Sequence, residues 1–188
     1  GLAAEVQPAS WPLVVGPSGA GVGSQLLLAG LSASWTTQVQ WLRGGRVIAT
    51  GSTYVVRPAD AGAKISARVT ATRGGRTVVV TSPEVAIAKI KAKVSVKVAK
   101  KSVKAGHKVK ATITVKAPGL KKPGGKAKVT LTKGGKTIAT RTVKVTKRGK
   151  ATVKLPLGKA AGRYKVKVAY QGTSRVAKAT KSLKVTAK

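Results

Sequence analysis

Cysteine, methionine, phenylalanine and asparagine are absent from the 188 residues, histidine occurs once, and three acidic residues stand against 38 Lys plus Arg. Without cysteine there is no disulfide, no thiolate metal site and no cysteine nucleophile. Without asparagine there is no asparagine-linked glycan and no Lys–Asn crosslink, and Asp60 is the sole aspartate. One imidazole and three carboxylates cannot supply the converging ligand sets that Zn²⁺ or Ca²⁺ require. His107, set between Gly106 and Lys108, reads as a solvated turn residue, and Asp60 as a residue that orders its own turn. Glu84 follows Pro83 near a strand start, and Glu5 lies near the N-terminus. A hydroxyl nucleophile would need a base and an orienting partner, and the sequence offers neither. No catalytic residue, metal ligand or cofactor is therefore assigned. No apolar run approaches the 18 residues of a membrane-spanning helix. The start, Gly1-Leu2-Ala3-Ala4-Glu5, has no initiator Met and no basic segment, and is expected to belong to a mature or excised chain.

What the chain has in excess is positive charge, +35 with a pI near 11.7, on an ordinary hydrophobic content of 42%. The charge is uneven. Residues 1–88 carry seven basic residues, six of them Arg, and all three acids; residues 89–188 carry 31 basic residues, mostly Lys, and no acid. So abrupt a shift in composition marks a domain boundary. It is placed between Ala88 and Ala92, giving domains 1–90 and 91–188, with Val85–Ile90 as a last strand running directly into the next domain. Two domains of this size would each bury roughly 60% of their unfolded surface, enough for a thin core.

Strand signals fill both halves. Lys108–Lys116, Lys126–Thr132 and Arg163–Tyr170 alternate apolar with Lys or Thr, the period of half-buried strands. Arg43-Gly44-Gly45-Arg46, Arg73-Gly74-Gly75-Arg76 and Lys133-Gly134-Gly135-Lys136 place two glycines between such runs, which suits hairpin turns with positive φ at both central residues. The stretch 117–125, with two prolines and three glycines, is a loop long enough to connect opposite sheets. No segment has helical periodicity. The fold class is all-β: antiparallel sandwiches, in tandem.

The first half, with Val39-Gln40-Trp41-Leu42-Arg43, then Gly51-Ser52-Thr53-Tyr54 and Asp60-Ala61-Gly62-Ala63-Lys64-Ile65, resembles the immunoglobulin-like repeats of secreted proteins of Gram-positive, especially actinobacterial, bacteria. The resemblance covers about residues 13–88. It implies that Trp41 fills the space between the sheets and that Asp60 and Gly62 form the turn before a late strand. Lys64-Ile65-Ser66 stands where an antibody-type domain has Tyr-x-Cys, so no inter-sheet disulfide and no tyrosine corner is expected there. The second half, from about 93 to 186, is similar to a different bacterial immunoglobulin-like repeat. It carries Val103, Gly106, Pro123, Gly125, Gly149-Lys150-Ala151-Thr152-Val153, Gly162-Arg163-Tyr164 and Tyr170-Gln171-Gly172. Tyr164 and Tyr170 fall in register with its core. Such landmarks specify turn and core geometry, not function.

The lysines carry the functional reading. Outward Lys solubilises a sheet and guards its edges, yet alternating signs would do so with less self-repulsion. One sign alone points to a polyanion partner, with Lys108, Lys110, Lys126, Lys128, Lys165 and Lys167 as the binding set. Few Arg, and only two aromatics in core register, argue against a reader of nucleic-acid sequence, although non-specific binding to nucleic acid follows from the charge. Given the resemblance, the implied protein is a non-enzymatic, extracellular, cell-wall-associated structural or adhesive module. Its partner would be an anionic, teichoic-acid-like wall polymer. Two alternatives stand: a structural or decoration protein of a phage infecting such bacteria, and a nucleic-acid-compacting protein. Trp35 is left as a packing residue at the sandwich end and Trp11 as an exposed anchor open to sugar stacking. The oligomeric state is not read from the sequence.

Overall fold

The computed structural model describes residues 6–146 and 148–188; Glu5 lies outside the described residues. The chain divides into two compact units, Gly1–Lys89 and Ile90–Lys188. Each is built from two packed antiparallel sheets, and the only helical turns among the described residues are two short 3₁₀ segments, Pro8–Ser10 and Pro58–Asp60.

In unit 1 a three-stranded sheet has the order β1 (Val14–Gly16), β2 (Gln25–Ala29), β5 (Thr53–Val55). The second sheet runs β4 (Arg46–Thr50), β3 (Thr36–Arg43), β6 (Lys64–Arg73), β7 (Arg76–Thr81), and β8 (Val85–Ala86) also pairs with β6. The run expected as one strand from Val85 to Ile90 is a strand only over its first two residues. Beyond them the backbone is tied outside the named strands: Ile87 donates to Ala63 O and accepts from Gly62 N–H, Ala88 donates to Ala20 O, and Ile90 forms an isolated bridge with Val176. The break before β8 has a chemical cause. Pro83 has no N–H to give the ladder, and Ser82 turns its hydroxyl inward to accept the Ala67 N–H at 2.8 Å. Buried side chains of the two sheets, among them Leu26, Tyr54, Val39, Trp41, Val69 and Ala71, form the core between them.

Unit 2 repeats the architecture with longer, more regular strands. Its three-stranded sheet is β14 (Lys150–Pro156), β11 (Lys108–Lys116), β9 (Lys93–Val98). Its five-stranded sheet is β10 (Ser102–Val103), β16 (Ala179–Ala187), β15 (Gly162–Tyr170), β12 (Lys126–Lys133), β13 (Lys136–Lys144). All pairs are antiparallel except β10 on β16. The alternation in the sequence becomes alternation of burial: Val109, Ala111, Ile113 and Val115 of β11 point inward, as do Tyr164, Val166, Val168 and Tyr170 of β15. The loop 117–125 carries the chain from one sheet to the other.

The three Gly-Gly hairpins join β3 to β4, β6 to β7 and β12 to β13. Gly44 and Gly45, at φ 56° and 78°, show the geometry all three share, both central residues left-handed as a primed turn requires.

Candidate functional site

Among the described residues the one buried acidic side chain is Asp60, fully enclosed in unit 1. Its carboxylate accepts from the Arg43 guanidinium, the Tyr54 hydroxyl and the Arg57 backbone N–H. The last of these closes the 3₁₀ turn, and Gly62 follows at φ 72°. A buried carboxylate so matched is a structural tie between β3, β5 and the turn. Burial, and then the hydrogen bond and negative charge of Asp60, push the Tyr54 hydroxyl up to about 12. Trp41 is fully buried, donates its indole N–H to Gly51 O at 2.9 Å and stacks on Tyr54 with centroids 5.8 Å apart.

Trp11 is not an exposed anchor. It is buried at 8% exposure and meets Trp35, also buried, edge to face at 6.3 Å. Both rings belong to the buried core of unit 1. No aromatic platform for sugars is formed by this pair.

The one histidine and the other described acid belong to different units. His107 is exposed in unit 2, its backbone N–H bonded to Lys104 O, while Glu84 is exposed in unit 1.

In unit 2 the two tyrosines are buried and tied to backbone. Tyr164, near the start of β15, donates to Ala160 O at 2.7 Å, four residues upstream, which is the geometry of a tyrosine corner. Its signal in the sequence is a Tyr two residues after Gly162, at the start of an alternating strand. Tyr170 donates to Gly124 O at 2.9 Å and so pins the loop 117–125 to the far end of β15, and burial raises its pKa.

The lysines lie on both outer faces of unit 2. Lys126, Lys128, Lys165 and Lys167 share the outer face of the five-stranded sheet; Lys108 and Lys110 project from β11 on the outer face of the other sheet. The structure therefore divides the set of six between two surfaces. It also adds partners that single-strand alternation could not reveal, because they depend on register. Lys126 lies directly opposite Lys144, and Lys165 opposite Lys184. Lys110 lies opposite Lys154, and Lys93 opposite Lys116. Residues opposite one another in an antiparallel ladder have Cβ atoms about 4.5–5.5 Å apart, and like charges there are destabilising. With no acid in residues 89–188, no carboxylate of the unit neutralises any of these pairs. Between them stand Thr130, Thr132, Thr142 and Ser182, hydroxyls able to hydrogen-bond an anion that the ammonium groups attract.

With that geometry in hand, residues 96–188 match the family model described as a bacterial Ig-like domain (group 3). Bacterial Ig-like domains are common in extracellular proteins and are generally non-catalytic. Among solved structures, the amphioxus IgVJ-C2 molecule is 12% identical, with 88% of this chain and 98% of that one covered at a TM-score of 0.50. The fibronectin(III)-like modules of Clostridium thermocellum CbhA are 17% identical over 94% of both chains, at 0.37. The D00-D0 domain of intimin is 15% identical over 94% of this chain and 99% of that one, at 0.43. At these identities the likeness concerns the fold alone. No curated protein matches the chain.

Proposed function

We propose that this chain is a non-enzymatic, extracellular structural or adhesive module whose Lys-rich unit holds it to an anionic, teichoic-acid-like polymer of a Gram-positive cell wall. In this reading residues 1–90 and 91–188 are two domains, the first a weakly basic spacer and the second the attachment element. The observation that carries the reading is the in-register pairing of like charges. A coat that served solubility alone could carry the same charge with Lys set opposite Thr, whereas each Lys opposite Lys costs stability. An anionic polymer repays that cost, because one phosphate or carboxylate can be shared by two ammonium groups already held at strand spacing. Lys acts as a point charge with three freely rotating donors and tolerates a polymer of irregular geometry.

Charge alone also draws nucleic acid. Both tyrosines of unit 2 are buried, and residues 89–188 contain no Trp and no Phe, so that unit offers no aromatic ring for stacking bases. Supporting the wall polymer over nucleic acid is the family match of the Lys-rich unit, together with this missing stacking platform.

The test is binding of the full chain to poly(glycerol phosphate) across a salt series. Affinity should fall linearly on a log–log plot, as it does when each neutralised phosphate releases close to one counterion. Lys126→Glu/Lys165→Glu should weaken binding and flatten the slope. A binding curve indifferent to salt, or strong preference for one nucleic-acid sequence over poly(glycerol phosphate), would overturn the proposal.

A further inference from the structure

One place in the Lys array differs from the rest. At the end of unit 2 where β9 begins and β11 ends, a groove of about 570 Å³ opens between the strands, the loop 117–125 and the residues preceding β14. Its floor is apolar: Val115, Ala117, Leu120 and Pro123. Its rim is cationic, with Lys91, Lys93, Lys116, Lys121 and Arg148, all exposed. Elsewhere on the two faces the lysines are interleaved with Thr and Ser. Here they surround hydrocarbon.

The floor is held in place by backbone. Leu120 N–H returns to Ala117 O at 2.9 Å, and Val115 N–H bonds Gly149 O at 2.7 Å. Gly149, at φ 76°, lies so close that a Cβ on it would come 2.2 Å from Val115 O and 3.4 Å from the Pro123 ring. Only glycine allows β14 to start against β11 here, and that approach brings Arg148 to the rim. The groove is thus formed before any ligand arrives, and its volume falls in the usual range of small-molecule sites.

We infer that this groove binds the head and adjoining chain of a single-chain anionic lipid. The five cations supply the complement of a phosphate, and Lys93 opposite Lys116 places two of them on either side of one antiparallel pair. Burying an anion there relieves the repulsion between them. The apolar floor then accepts the first part of the alkyl chain, which a phosphate polymer cannot use. The inference is independent of polymer attachment, because it rests on an apolar floor that a phosphate polymer cannot use.

Calorimetric titration of the full chain with dodecyl phosphate, kept below its micelle concentration, tests it. Inorganic phosphate carries the charge without the chain, and dodecyl maltoside the chain without the charge. One site is expected, with dodecyl phosphate binding at least about tenfold tighter than either. Lys121→Glu/Arg148→Glu, both at exposed positions, should lower that affinity about tenfold or more. Lys165→Glu/Lys184→Glu on the far face should leave it unchanged while weakening poly(glycerol phosphate). Leu120→Ser should weaken dodecyl phosphate and leave inorganic phosphate as it was, with retained amide dispersion in NMR spectra confirming the fold. Equal affinity for inorganic phosphate or dodecyl maltoside would overturn the inference. So would many equivalent weak sites, or a loss as large in the far-face variant as in the groove variant.

Discussion

The two units reach the same two-sheet arrangement by different means, and the difference shows how little of a sandwich's chemistry its fold dictates. Unit 1 is filled by large rings and locked by an ion pair whose carboxylate is buried: Trp41 on Tyr54, Trp11 on Trp35, and Asp60 between Arg43 and Tyr54. Arg43, Arg57 and Arg68 each have a partner within the unit. Arg68 donates twice to the Gln40 side chain at 3.0 and 2.8 Å, and Arg57 lies over the Tyr54 ring at 5.5 Å. Unit 2 is filled by Val, Ala, Ile and Leu in strict alternation around two tied tyrosines, and its outer faces carry lysines set opposite lysines. One unit uses charge to hold itself together; the other, apart from Lys133 over the Tyr164 ring at 5.9 Å, turns its described charges outward.

The largest expected effect on this comparison comes from Trp41→Ala. Removing a fully buried Trp with a satisfied indole should cost unit 1 about 3–5 kcal/mol. If the units are separate domains, chemical denaturation followed by NMR should show resonances of residues 91–188 unfolding at an unchanged midpoint. A common shift would mean that the two fold as one cooperative body.

Alkaline pH should separate the units next. The Tyr54 hydroxyl titrates at about 12 in the fold against 10.0 for the free side chain. The folded value is the higher one. The stability it contributes is therefore fully present below pH 10 and is lost as pH rises toward about 12. Unit 1 should weaken across that window, and Tyr54→Phe should remove this contribution to the slope. An unchanged slope in Tyr54→Phe would show that the network with Asp60 does not govern it.

Tyr164→Phe sharpens the contrast from the other side. It removes only the hydroxyl that ties β15 to Ala160 O, and should cost unit 2 about 0.5–1.5 kcal/mol, the usual net worth of one hydrogen bond. The denaturation midpoint of unit 1 should not move.

The smallest effect has the opposite sign. Lys110→Thr removes one of two like charges in register, and should stabilise unit 2 by about 0.2–1 kcal/mol at low salt. The gain should shrink as salt screens the pair. A destabilised variant would mean that the Lys110 stem contributes more through packing than its charge costs.

The sequence by itself determined the all-β class, the strands and the hairpins, because each is a local property. Period-two alternation needs only neighbours two residues apart, as in Lys108–Lys116, and a Gly-Gly pair between two strands needs only its own φ angles. It also determined the sign of the charge and its concentration after residue 88. What it could not determine is anything that depends on which residue lies across from which. Lys110 and Lys154 are 44 positions apart, and only register makes them a pair. Trp11 reads as exposed until a second ring from Trp35 covers it. Arg43 and Asp60 become an ion pair only when β3 and the Pro58–Asp60 turn meet. The groove needs β9, β11, the loop 117–125 and the approach to β14 at once, and its narrowness hangs on Gly149, whose bare backbone stands against Val115. Local chemistry writes strands; long-range pairing across the ladder decides which charges are neighbours, and that neighbourhood gives the surface its binding properties.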